Sequence, residues 1–187
     1  DADRWVREGR WMQSRIAPTH SMTTLRVGVV GLGHIGRAIA RRLEPFCCRI
    51  QWWGRSPQDV PWERVAALHD LAAQNDMLIV AIAAHDETRG LVTKEIIEAL
   101  GPHGALVNIS RGFVVDEAAL LSALREGRLG QAGLDVFESE PDDGARWKDL
   151  SNVILSPPSS GHTIESFQIL CRRAAEAVIH HLSKAAR

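Results

Sequence analysis

Residues 27–43, VGVVGLGHIGRAIARRL, place Gly31, Gly33 and Gly36 in a GxGxxG spacing. An apolar run of strand length precedes the glycines and a helix-like run follows them. In that context each glycine has a physical task. Gly31 permits a tight turn, Gly33 lets the backbone approach a pyrophosphate, and Gly36 allows close packing of helix on strand. The free N–H groups and positive dipole end of the helix then face the phosphates. Gly31, Gly33, His34, Ile35 and Gly36 are therefore the predicted cofactor-binding loop. The alternative is a strand–helix turn without a ligand; the strand before and the helix after the spacing favour ligand binding.

A site for NAD(H) carries an acidic residue about 20 positions further on, at the end of the second strand, for the ribose 2′-hydroxyl. That strand is CRIQWWGRS, and the acid's place is held by Gly54, followed by Arg55 and Ser56. No carboxylate repels a 2′-phosphate there, Arg55 can pair with it and Ser56 can bond to it. The expected cofactor is NADP(H), with NAD(H) possible. Trp52 and Trp53 read as core and edge aromatics of this strand, with Trp53 close enough to flank an adenine.

The elements that must position these groups are legible as alternation. From Leu25 onward the runs LRVGVVG, CRIQWWG, MLIVAIA, GALVNIS, AGLDVF and NVILSP have strand length. Helix-like segments separate most of them: RAIARRL, WERVAALHDLAAQ, TKEIIEAL and DEAALLSALREG. Continuous apolar strands separated by helices predict a doubly wound α/β domain with a parallel sheet. A last amphipathic helix is expected from about Thr163, its N-cap, to Ser183, with Ile164, Phe167, Leu170, Ala174 and Val178 on one side. Residues 1–15 have helical spacing broken at Gly9. The division is 1–24 helix and linker, 25–161 dinucleotide-binding domain, and 162–187 C-terminal helix.

The 187 residues are 45% hydrophobic, enough for one sizeable core. Lys and Arg number 22 against 23 Asp and Glu, a net charge of −1, which gives no electrostatic reason for nucleic acid or an anionic membrane as partner. Cys47, Cys48 and Cys171 form no CxxC pair and suit a reducing, cytoplasmic setting. No metal site is expected. The chain opens with Asp1 inside a charged, helix-like segment, which reads as a piece of something longer or as a processed product.

Three more blocks narrow the reading: VNISRG at 107–112, AGLDVFESEP at 132–141 and WKDLSNVILSPPSSG at 147–161. With the glycine loop, and over nearly the whole chain from EGRW at 8–11, they resemble the D-isomer-specific 2-hydroxyacid dehydrogenases, particularly the glyoxylate and hydroxypyruvate reductase branch. The resemblance implies NAD(P)-dependent interconversion of a small 2-ketoacid and a D-2-hydroxyacid, and commonly a homodimer. It also implies a separate substrate-binding domain, built mostly from preceding chain, against which the last helix packs.

The resemblance carries roles to particular positions. Arg111, just past GALVNIS, would grip the substrate carboxylate and polarise the carbonyl. Glu140, in ESEP, would keep a histidine protonated so that it can donate to the alkoxide. Asp135 would contact the nicotinamide carboxamide; otherwise it is a strand-end cap. Asn108 reads as a structural amide and His85 as a solvated loop histidine.

The family's proton donor comes from a T-P-H block after the strand corresponding to NVIL. Here the block reads Ser156, Pro157, Pro158, so the imidazole's position holds a proline. Either His162 replaces the donor, or water serves poorly, or the domain is a catalytically silent dinucleotide-binding or regulatory protein on the same scaffold.

Overall fold

The computed structural model describes residues 2–46, 48–159 and 161–185. Strands β1 (Arg26–Val30), β2 (Arg49–Trp53), β3 (Glu63–Arg64), β4 (Met77–Val80), β5 (Ala105–Asn108), β6 (Gln131–Leu134) and β7 (Val153–Leu155) form one sheet in the order β3-β2-β1-β4-β5-β6-β7. Every pairing is parallel. This is the doubly wound order 3-2-1-4-5-6 with one strand added at the end, and the chain reverses direction across the sheet between β1 and β4. The Rossmann-type fold expected from the alternation is present.

Apolar residues run without a break along β1 because both faces of the sheet are covered. On one face Val27, Val29, Ile50, Trp52 and Ile79 pack with Leu32 and Ala40, under α2 (His34–Leu43). On the other, Val30, Leu78, Val80 and Leu106 pack beneath α3 (Leu68–Gln74), α4 (Lys94–Ala99) and α5 (Glu117–Arg125). Arg26 and Asp76 lock the starting ends of β1 and β4. The Asp76 carboxylate accepts from the Arg26 backbone N–H at 2.9 Å and from its guanidinium at 2.5 and 3.1 Å.

The helix expected over WERVAALHDLAAQ forms only from Leu68. Glu63 and Arg64 instead pair with Gln51 and Trp52 as the edge strand β3. Trp52 Nε1 donates to the Trp62 carbonyl at 3.0 Å and Val65 N–H to the Trp52 carbonyl at 2.8 Å. These long-range bonds, formed as Trp52 and Val65 enter the core, override the local helical spacing. Similarly, the run AGLDVF is strand only to Leu134.

Residues Ala2–Arg7 form α1, and Gly9, at φ 70°, ends the helical spacing before a short 3₁₀ turn over Arg10–Met12. The final helix, α6 (Ile164–Ala185), starts at Thr163, whose Oγ1 accepts from Ser166 N–H at 3.1 Å. Ile164, Phe167, Leu170 and Val178 on its apolar side are each more than half exposed. Cys48 and Cys171 are free thiols, whereas Cys47 and Ser160 lie outside the described residues. Among the described residues no helix is long and apolar enough to cross a membrane.

Candidate dinucleotide and substrate site

The reversal between β1 and β4 opens a crevice beyond the carboxyl ends of the strands, where open α/β sheets bind ligands. A cavity of about 430 Å³ lies there, lined by Gly33, His34 and Ile35 after β1, by residues 81–84 after β4, and by Ile109, Ser110 and Arg111 after β5.

The glycine loop is shaped by contacts that only glycine tolerates. Gly31 has φ 89°, and a Cβ on it would lie 2.6 Å from the Ile82 Cα. A Cβ on Gly36 would lie 2.0 Å from the Gly31 carbonyl oxygen, so α2 is seated directly on the turn. At Gly33 a Cβ would meet nothing within 4 Å. The space in front of that residue is open, and the first N–H groups of α2, which have no helical acceptor, face it. A backbone cradle with this open approach fits a dinucleotide pyrophosphate. Arg37 braces the loop from behind: its Nε donates to the Leu32 carbonyl at 3.2 Å and its Nη2 to Gln58 Oε1 at 2.5 Å.

Beyond β5 the chain turns around Asn108, which is 1% exposed. Its Oδ1 accepts from the Ser110 N–H at 3.1 Å and the Ser110 hydroxyl at 2.9 Å, and its Nδ2 donates to the Arg111 carbonyl at 3.1 Å. Asn108 is thus the structural amide expected, and it holds the turn that carries Arg111. The exposed Arg111 side chain lies at the cavity lining, with Nη1 donating to the Ser110 carbonyl at 2.7 Å.

The next two strands end at the same edge. Asp135 N–H donates to the Asn108 carbonyl at 3.1 Å, and Ser156 N–H donates to the Leu134 carbonyl at 2.9 Å. The loop after β6 then packs on the Arg111 turn so closely that a Cβ on Gly112 would lie 1.9 Å from the Phe137 carbonyl carbon. Glu117, 4% exposed at the start of α5, ties down the same loop. Its Oε2 accepts from Glu138 N–H at 2.8 Å, and its Oε1 lies 2.5 Å from Arg146 Nη2 without hydrogen-bond alignment. Burial pushes the Glu117 carboxyl up, outweighing the Glu138 bond and the Arg146 charge. Glu140 is exposed, and its Oε1 accepts from the Phe137 N–H at 2.9 Å.

The predicted residues therefore fall into three groups. Gly33, His34, Ile35 and Arg111 share the cavity lining, with Gly31 and Gly36 directly behind it. Asp135 and Glu140 stand on the adjoining loop outside that lining. Arg55 and the exposed Ser56 lie at the end of β2, on the other side of β1. Sequence reasoning missed Ile82, Ala83 and Ala84, which are small or apolar residues in a loop without a motif. His85, read as a solvated loop histidine, keeps 37% of its side chain accessible, and its Nε2 also contacts Arg55 Nη2. Arg55 Nη1 in turn is paired with the Glu87 carboxylate. Pro158 and His162 are exposed, and the His162 N–H donates to the Ser159 carbonyl at 2.9 Å.

Fold and crevice together define a dinucleotide-binding domain. Residues 1–160 match the family described as D-isomer specific 2-hydroxyacid dehydrogenase, NAD binding domain. The chain is 42% identical over 167 residues to glyoxylate/hydroxypyruvate reductase A HPR2 of Arabidopsis thaliana, covering 89% of this chain and 53% of that protein. Among solved structures it resembles 2-hydroxyacid dehydrogenase from Ketogulonicigenium vulgare Y25, with TM-score 0.86 and 40% identity over 98% of this chain and 58% of that one. It also resembles the NADPH-dependent glyoxylate/hydroxypyruvate reductase of Sinorhizobium meliloti in complex with NADP and malonate, with TM-score 0.79 and 39% identity over 88% and 53%. The chain belongs to the D-isomer-specific 2-hydroxyacid dehydrogenase family, through its NAD-binding domain. It spans about half the length of the relatives it matches.

Proposed function

We propose that this chain is the cofactor-binding half of an NADPH-dependent 2-ketoacid reductase, acting on a glyoxylate- or hydroxypyruvate-like substrate. The observation that carries the reading is Arg111 on the wall of the same cavity as the open face of the glycine loop. A bound reduced nicotinamide supplies the hydride for the substrate's C2 carbonyl. Arg111 holds the substrate carboxylate through paired charge-assisted bonds and stabilises the negative charge that develops on the carbonyl oxygen. Asp135, at the edge of β6, orients the carboxamide side of the cofactor. Arg55 and Ser56 receive the 2′-phosphate. The relative from Sinorhizobium meliloti, named NADPH-dependent and bound to NADP, supports that preference. The exposed apolar side of α6 suits packing against a substrate-binding domain, and the working unit is a homodimer in the cytoplasm.

Proton delivery is the weak step. Glu140 stands ready to charge an imidazole, but position 158 is proline, with no titratable group. This observation favours a second reading, a silent dinucleotide-binding or regulatory protein on the same scaffold. Two measurements test the pair. A titration should show NADPH bound more tightly than NADH; the reverse order refutes the cofactor preference. A polypeptide carrying both halves of the fold should then oxidise NADPH with glyoxylate or hydroxypyruvate. Intact NADPH binding without turnover decides for the silent protein.

A further inference from the structure

The end of β2 lacks the acid that a ribose-binding strand carries, yet a carboxylate from another loop pairs with the neighbouring Arg55. Arg55, directly after Gly54, has both terminal nitrogens engaged by the loop after β4. Its Nη1 is paired with Glu87 and its Nη2 meets His85. Glu87 Oε2 also lies 4.0 Å from His85 Nδ1, so one anionic oxygen is close to both the guanidinium and the imidazole. Both sides of this contact are braced. Arg64 Nη2 donates to the carbonyl of Gly54 at 2.8 Å, fixing the Arg55 backbone. On the other side Thr88 is 2% exposed, and its Oγ1 accepts from His85 N–H at 3.0 Å and donates to the His85 carbonyl at 2.8 Å.

We propose that Glu87 is a specificity-determining residue: an internal anion that occupies Arg55 and that a 2′-phosphate must displace. This inference rests on the assignment of Arg55 and Ser56 to the 2′ position. A two-point grip on a phosphate needs terminal guanidinium nitrogens that are now engaged. Displacement is feasible because the pair is exposed, with 54% of the Arg55 and 75% of the Glu87 side chain accessible. An exposed pair of this kind contributes a factor of about five or less. A phosphate carrying close to two negative charges outcompetes it, but less favourably than it would bind an unpaired arginine. A dinucleotide with a 2′-hydroxyl leaves the pair intact and requires no displacement of Glu87. One site thereby takes either cofactor, with Glu87 setting the ratio.

The test is a titration of the 187-residue chain with NADPH and with NADH, as wild type and as Glu87→Gln. The glutamine keeps the side chain's size and removes its charge. The NADPH Kd should fall about two- to fivefold, the factor that releasing an exposed pair contributes. The NADH Kd should stay level or rise. In an Arg55→Ala background the same substitution should gain less, since no guanidinium remains to compete for. An unchanged NADPH-to-NADH affinity ratio overturns the proposal, as does an equal gain in both backgrounds. A wild-type preference for NADH, with Glu87→Gln still shifting the ratio, refutes the NADPH preference and leaves the role of Glu87 standing. A wild-type preference for NADPH with no shift does the reverse.

Discussion

Gly112 joins the two loops on which catalysis by this fold would depend, and replacing it by alanine tests that join. A Cβ there would lie 1.9 Å from the carbonyl carbon and oxygen of Phe137 and 2.2 Å from the Glu138 nitrogen. Tolerable Cβ contacts start near 3.0 Å, so the segments must part by at least 3.0 − 1.9 = 1.1 Å. The obstructing atoms are backbone, with no side chain to rotate away. Glu138 N–H is moreover held at 2.8 Å by the buried Glu117 carboxylate, so separation strains that bond as well. Overpacking of this kind costs about 1–3 kcal/mol, and a backbone obstruction belongs at the upper end. At about 3 kcal/mol a chain of this size should lose roughly 6–12 °C in melting temperature. Dinucleotide affinity should fall with it, because Arg111 and Ser110 at the cavity lining lead directly into Gly112. Gly133→Ala is the control, since its Cβ would meet Val107 at an ordinary 3.7 Å. Thermal unfolding by circular dichroism and a fluorescence titration with NADPH read both effects. A Gly112→Ala protein that melts within about 2 °C of wild type and binds normally would refute the close-packing argument.

Two other predictions concern the proton donor and acid stability. Pro158→His, in a polypeptide carrying both halves of the fold, should raise the rate of NADPH oxidation with hydroxypyruvate by about 10²–10⁴-fold. The residue is exposed, so a failure to gain activity cannot be blamed on a disturbed core and would mean that the site is lost for other reasons. The pH dependence of stability should show two opposite contributions. The Arg26 side chain, through hydrogen bonds, holds the Asp76 carboxyl below its usual range. Its contribution is therefore present above the unfolded value of about 3.9 and lost as pH falls through the lower folded value. The raised Glu117 carboxyl works the other way. Stability gained below its unfolded value, about 4.3, is lost as pH rises through the higher folded value. Urea midpoints across pH should show Asp76→Asn destabilised by about 1 kcal/mol near neutrality, after allowance for partial exposure. Glu117→Gln should lack the gain on mild acidification; profiles parallel to wild type would refute both assignments.

The glycine spacing, the apolar strands and the Arg111 block are local patterns, and the sequence alone determined the Rossmann-type fold and the glycine turn at the end of β1 from them. Their signals are read from residues close in the chain: three glycines within six positions, of which Gly36 would strike the Gly31 carbonyl if it carried a Cβ, and short continuous apolar runs. The structure decided what depends on residues far apart. Glu63 and Arg64 became strand because Trp52 and Val65 are buried beside them, which no helical spacing could reveal. The cavity lining at Ile82, Ala83 and Ala84 is set by strand order, which brings β4 beside β1 across 50 residues of chain from Arg26 to Asp76. The empty acid position at Gly54 was visible in the sequence, but the carboxylate that pairs with Arg55 was not. Glu87 lies 32 residues from Arg55, and only the packing of parallel strands puts an acid from one loop onto an arginine from another.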